Sequence, residues 1–335
     1  MTDWDEFTTA LVPVPAGGTP SRLPRLAVGS LPVIVAAAGD GARFAWEEFF
    51  SGELPNAHTR AAYLRAVRRF LDSCENGRVE LHRITPGQVG SYLAGLPVSI
   101  PTKKQHLAAI RRFFDRLVVR HVVMLNPAAS VRAERYQVVE GKTPEISVPH
   151  ARRLLASLSA TDAVSRRDKA LVAVLIYTAA RVGAVTRLRL CDLRHDGEQW
   201  TLRFTEKGGK SREIPVRHDL QKMLFDYLDV TGLSTGTSTA PVFRSAVRRT
   251  GTLSERAITP GDACRMVQRR LRAAKLPDHL SPHSFRVTTI TDLLANGVPL
   301  EEVQYLAGHA DPRTTRLYDR RQKRVTRNVV ERISV

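Results

Sequence analysis

Four times in this chain a short polar side chain stands directly before a proline at the head of a helically periodic segment: Thr85-Pro86, Thr259-Pro260, Ser281-Pro282 and Asp311-Pro312. Each pair marks a helix start. The first residue's oxygen accepts from an orphan backbone N–H, and the proline sits where no amide hydrogen is needed. A chain punctuated in this way is built from many separate helices, each of which must bury one face.

Residues 43–132 follow that pattern. Tyr63, Val67, Phe70 and Leu71 share one face, with Arg60, Arg65, Arg68 and Arg69 around the rest. The segment opened by Thr85-Pro86 carries Val89, Tyr92 and Leu93. In Thr102 to Leu117 the apolar face is Ile110, Phe113, Phe114 and Leu117, and Lys103, Lys104, Arg111 and Arg112 lie outside it. This predicts a small helical domain with basic outer faces. Any one such cation is most often a plain solvated charge. Repeated Lys-Lys and Arg-Arg pairs on successive helices point instead to a wall facing DNA. Residues 1–42, rich in Pro, Gly, Val and Ala, are expected to form an arm, and 133–147, with Gly141 and Pro144, a linker.

Residues 148–335 predict a larger, mainly helical domain. Pro149 to Leu158 reads as a helix, and Ala170 to Ala180 as a buried one. Trp200, Leu202 and Phe204 alternate, Lys207-Gly208-Gly209-Lys210 turns, and Glu213 to Val216 returns, which is a hairpin. Helices are also expected at about 218–228, 260–274 and 282–296. The fold class is mainly α with a small antiparallel β-sheet.

Charge narrows the partner. Lys and Arg number 51 against 33 Asp and Glu, a net +18 and a pI near 10.6. Such an excess favours a polyanion, because binding phosphates releases condensed counterions. A solubility coat, a ribosomal protein or a membrane-surface protein could share that charge. Three scattered cysteines and no CxxC pair argue against a disulfide framework or a cysteine zinc site. The acidic start (Asp3, Asp5, Glu6) is unlike a signal peptide, and Leu31 to Ala38 is too short to span a bilayer. A cytoplasmic protein with no membrane partner is expected.

Gly208-Gly209-Lys210-Ser211 imitates the end of a phosphate-binding loop. The glycine that motif needs five residues before its second Gly is here Phe204, and the context is strand-turn-strand, so no nucleotide partner is expected. The stretch from Ser281 to Arg321 is more informative. With Ser281 and Pro282 heading a helix, His283 and Arg286 share its N-terminal face, where free N–H groups and the dipole attract an anion. Alone, a His-x-x-Arg pair is far commoner by chance. Twenty-three residues beyond Arg286 comes His309, after Gly308, and nine further on Tyr318. Unbroken helix would set those two on opposite faces, at ~100° per residue. Asp311-Pro312 starts a new helix between them, which would hold Tyr318. A tyrosine is ordinarily a core aromatic, as expected for Tyr63, Tyr92 and Tyr177, but Arg316, Asp319, Arg320 and Arg321 are not core neighbours. Upstream, Arg181 follows directly on a buried helix, where a charge must be paired or functional. Lys207 stands at the hairpin tip, well placed to deliver a proton.

Arg181, Lys207, His283, Arg286, Gly308-His309 and Tyr318 resemble, in order and spacing, the active site of the tyrosine recombinase (phage integrase) family. Residues 281–321 are similar to that family almost throughout. The likeness extends over about 43 to 335, including a core-DNA-binding domain closed by Asn126-Pro127-Ala128. It implies that Tyr318 attacks a DNA phosphorus, with Arg181, Arg286 and His309 stabilising the transition state. It further implies that His283 assists proton transfer and Lys207 protonates the departing 5′ oxygen. A 3′-phosphotyrosine intermediate then needs no ATP, metal or cofactor for rejoining.

The family often has an acid where this chain has Ala184, a departure that bears on rate. The tail pairs Arg320, Arg321, Lys323, Arg324 and Arg327 with Val325, Val329 and Ile333, a helix that packs on its own domain or on a neighbouring subunit. The resemblance implies a two-domain clamp on double-stranded DNA, four subunits on two sites, and recombination for a mobile element. Two rivals share the fold: a type IB topoisomerase-like enzyme, and a non-catalytic DNA-binding protein.

Overall fold

The computed structural model describes residues 31–136, 143–205, 211–248 and 250–319. The chain divides into two compact units, Met1–Gln137 and Val138–Val335.

The described part of the first unit is helical: α1 (Val33–Ala37), α2 (Asp40–Glu47), α3 (Ala57–Asn76), α4 (Pro86–Gly95) and α5 (Ile100–Val119). Thr85 caps α4 by accepting from the Gln88 N–H, and Asn56 caps α3 through the N–H groups of His58 and Thr59. Trp46, Phe49, Phe50, Phe70, Phe113 and Phe114 fill the core. The expectation of an arm through residue 42 needs correction. Ile34, Val35 and Ala42 are buried in this core, because the apolar run after Leu31 folds into α1 and the start of α2. Five residues of helix are too few to show a 3.6-residue period.

The second unit is also mainly helical, with two small antiparallel sheets. Its elements begin with α6 (Val148–Ser157), α7 (Ala163–Thr178) and α8 (Val182–Val185). A three-stranded sheet follows, β1 (Leu193–His195), β2 (Trp200–Thr205) and β3 (Ser211–Pro215), in the order β1-β2-β3. Next come α9 (His218–Val230) and a hairpin of β4 (Arg244–Ala246) and β5 (Leu253–Ala257) that the sequence reading does not anticipate. The chain continues through α10 (Pro260–Ala273), α11 (Pro282–Ala295), α12 (Leu300–Ala307) and α13 (Pro312–Arg316).

Helix α7 is the central post, buried along most of its length and packed on α9 and α11. Near its start, Asp168 is 0% exposed and held by Nε and Nη2 of Arg167 and by Nε of Arg270 on α10. The expected linker through residue 147 also ends early. Ile146 is buried in the core of the second unit, and the Thr288 hydroxyl on α11 meets its N–H and its carbonyl at 2.9 and 2.7 Å. Among the described residues, no helix is long and apolar enough to cross a membrane.

Candidate active site

The site begins where α7 stops. Ala179 takes a left-handed conformation (φ 50°, ψ 22°), which turns the chain so that Arg181 heads α8. Arg286 on α11 is 1% exposed, and its Nη1 donates to the Ala179 carbonyl at 2.5 Å. One arginine is thereby tied to the turn that carries the other. The Thr289 hydroxyl, donating to the Ile176 carbonyl at 2.6 Å, fastens the same two helices.

The other half comes from the end of α12. Gly308 adopts φ 62°, a conformation glycine reaches without strain, and the chain leaves the helix there. His309 is then fixed at both backbone ends: its N–H donates to the Gln304 carbonyl, and its own carbonyl accepts from Gln304 Nε2, each at 3.1 Å. Asp311 caps α13 by accepting from the Arg313 N–H. Tyr318 lies just past α13 rather than inside it, because that helix ends at Arg316, and its N–H donates to the Thr315 carbonyl. The His309 and Tyr318 rings stack, with centroids 5.9 Å apart and planes 9° from parallel. Tyr318 is half-buried against a small apolar cluster that includes Ala179, Ile290 and Ala307.

Electrostatics tie these pieces together. Burial, then the charges of Arg286, Arg181, Arg212 and His283, push the His309 imidazole down to about 3. His283, one turn before Arg286, reaches solvent on one side. Desolvation of its inner side, then Arg286 and Arg181, lower its basicity as well. Both rings are therefore neutral at neutral pH, beside two guanidiniums and a phenol. Such a group can bind an oxyanion, and a phenol that loses its proton can act as a nucleophile.

Arg212 is the residue that sequence reasoning missed. It is 4% exposed on β3, pairs across the ladder with Phe204, and sets its guanidinium 5.2 Å from that ring. The signal was present: β3 alternates exposed and buried, and Arg212 occupies an inward position where an apolar side chain is the norm. Lys207 and the tail beyond Asp319 lie outside the described residues. The strand end before Lys207 is held by Arg187 Nη2, which donates to the Thr205 carbonyl at 3.2 Å.

The family model described as the phage integrase family matches residues 148–324, more than half of the chain. The chain belongs to this family. It is a site-specific DNA recombinase of the tyrosine type. It is similar to the tyrosine recombinase XerC of Pelobacter propionicus, 30% identical over 267 residues that cover 78% of this chain and 84% of the relative. In fold it resembles XerH recombinase bound to a palindromic difH substrate, with a TM-score of 0.64 at 18% identity over 81% of this chain and 78% of that one. A lambda integrase tetramer bound to a Holliday junction gives 0.62 at 16% identity, over 89% and 83%.

The cations expected to line the DNA path of this recombinase divide in two. Arg65, Arg69, Lys104 and Arg112 are exposed, Arg112 also lying 3.8 Å from Glu53. Arg68 is half-buried, with its guanidinium 5.5 Å from the Trp46 ring. Arg111 serves a different purpose. Its Nε donates to the Ala128 carbonyl at 2.8 Å and its Nη2 to the Val131 carbonyl, clasping the segment after α5. Lys103 is likewise turned inward, onto the Ala94 carbonyl and Glu134.

Proposed function

We propose that Tyr318 is the nucleophile of this recombinase. Its phenolic oxygen attacks a backbone phosphorus of double-stranded DNA and the P–O5′ bond breaks, leaving a 3′-phosphotyrosyl link and a free 5′-hydroxyl. His283, neutral near pH 7, accepts the phenol proton, and Lys207 supplies one to the departing oxygen. Arg181 and Arg286 neutralise the charge that builds on the phosphorane-like transition state, and His309 donates a further hydrogen bond. The link keeps the energy of the phosphodiester, so a 5′-hydroxyl from a second duplex reverses the step without ATP or metal.

The observation carrying this reading is that one small volume unites residues from opposite ends of the unit. Arg286 grips the turn before Arg181, and His309, which feels both charges, lies flat on Tyr318. In the working assembly we read each chain as a clamp on one duplex and four chains as joining two sites, in the cytoplasm on the nucleoid. The exchange is read as integration or excision of a mobile element, which sequencing the DNA beside the gene tests.

The chemistry is tested with duplexes nicked beside the cleavage phosphate, drawn from sites flanking the gene. A denaturant-resistant protein–DNA adduct that vanishes in Tyr318→Phe supports it. No adduct from the native protein on any of these sites refutes it.

A further inference from the structure

Thr315 is 0% exposed, in the short helix between His309 and Tyr318. Its Oγ1 lies 2.9 Å from Nδ1 of His309, and its carbonyl accepts the Tyr318 N–H at 3.0 Å. Among the described residues, Nδ1 is the hydroxyl's only hydrogen-bond partner. A hydroxyl carries one proton, and a buried donor left without an acceptor is unfavourable. If Nδ1 kept a hydrogen and donated it to Oγ1, the hydroxyl proton would point into packed protein. With the hydroxyl as donor, Nδ1 is the bare nitrogen and the proton of the neutral ring resides on Nε2.

We propose that Thr315 is a positioning residue whose hydroxyl holds His309 in the Nε2–H form, so that Nε2 donates to a phosphate oxygen while the Thr315 carbonyl pins the backbone of Tyr318. This rests on His309 being a phosphate donor, as in the reading above. The opposite tautomer would turn a bare lone pair toward an anionic oxygen. The depressed basicity of His309 agrees, since only a neutral ring has a tautomer to choose.

The tautomer is read from the imidazole nitrogen-15 shifts of the full-length protein without DNA, with His309 assigned by the signals lost in His309→Gln. The wild type is expected to be protonated at Nε2. Thr315→Val keeps the shape and removes the hydroxyl. It is expected to lose that preference and to form the covalent adduct on a nicked duplex about 10–100-fold more slowly, by analogy with the loss when the orienting partner of a metal-bound histidine is removed. Thr315→Ser is expected to restore both. A wild-type ring protonated at Nδ1 overturns the inference, as does Thr315→Val with the wild-type tautomer and rate. If Thr315→Val does not fold, the wild-type spectrum and Thr315→Ser decide by the same criteria. A wild type with no adduct refutes the proposed chemistry instead, and the spectrum still decides the tautomer.

Discussion

The imidazole of His309 stacks on the phenol of Tyr318, its plane 9° from parallel and its centroid 5.9 Å away, with Arg286 and Arg181 close enough to repel a proton from the ring. A phosphate drawn to those guanidiniums brings negative charge to the same place. Binding of cognate duplex is therefore expected to raise the His309 pKa from about 3, in an NMR titration with and without DNA. A value that stays fixed would mean that the phosphate settles elsewhere.

Acid stability has a definite sign at this residue. The folded-state pKa lies below the ordinary 6.5, so the unfolded chain binds the extra proton. The contribution is complete above about pH 6.5 and lost as pH falls toward about 3. Urea unfolding across that window should show a shallower decline for His309→Gln than for the wild type.

Only a guanidinium presents a planar fork of donors, so a lysine in place of Arg286 would be unable to hold the Ala179 carbonyl and bind a phosphate together. Arg286→Lys is expected to slow single-turnover adduct formation by about 10²–10³-fold, the usual loss for one transition-state donor. Arg286→Ala should in addition destabilise the fold by about 1–3 kcal/mol, through the orphaned Ala179 carbonyl. Wild-type rates in Arg286→Lys would remove this arginine from the chemistry.

Asp168 pairs with three arginines: the buried Arg167, the half-buried Arg270 and the exposed Arg269. Asp168→Ala leaves the buried Arg167 without its carboxylate, for an expected loss of about 3–5 kcal/mol in urea unfolding. A loss below 1 kcal/mol would show that solvent reaches the pair.

For DNA affinity, exposure should separate the basic residues. Arg65→Ala, Arg69→Ala and Lys104→Ala are each expected to weaken binding at low salt and to reduce the slope of log affinity against log salt by about one. Arg111→Ala should chiefly lower the unfolding midpoint, since it releases the Ala128 and Val131 carbonyls. Equal salt slopes for all four variants would contradict this division.

Much of this was legible in the sequence, for physical reasons. Capping signals are local, so the starts of α4, α10, α11 and α13 follow from Thr85, Thr259, Ser281 and Asp311 with their prolines. Motif order likewise points to Arg181, His283, Arg286, His309 and Tyr318, and in the fold the first three act electrostatically on the His309 ring that stacks with Tyr318. Long-range pairing was not legible. The clasp of Arg111 on Val131 and the inward turn of Lys103 depend on where distant backbone carbonyls fall, which no helical pattern records. Arg212 escapes the pattern because a charge on a short strand is usually solvated, and its 4% exposure arises only from tertiary packing, including its stacking over Phe204. The β4–β5 hairpin lacks a strong alternation, since both strands are largely open to solvent.

The grip of Thr288 on Ile146 has a mechanical side. Thr288 stands two residues beyond Arg286 on one stiff rod, and Ile146 belongs to the stretch by which the polypeptide enters the catalytic unit. The rod therefore carries both the threonine that anchors the entering stretch and the arginine bound to the Ala179 carbonyl, so the two attachments share one support.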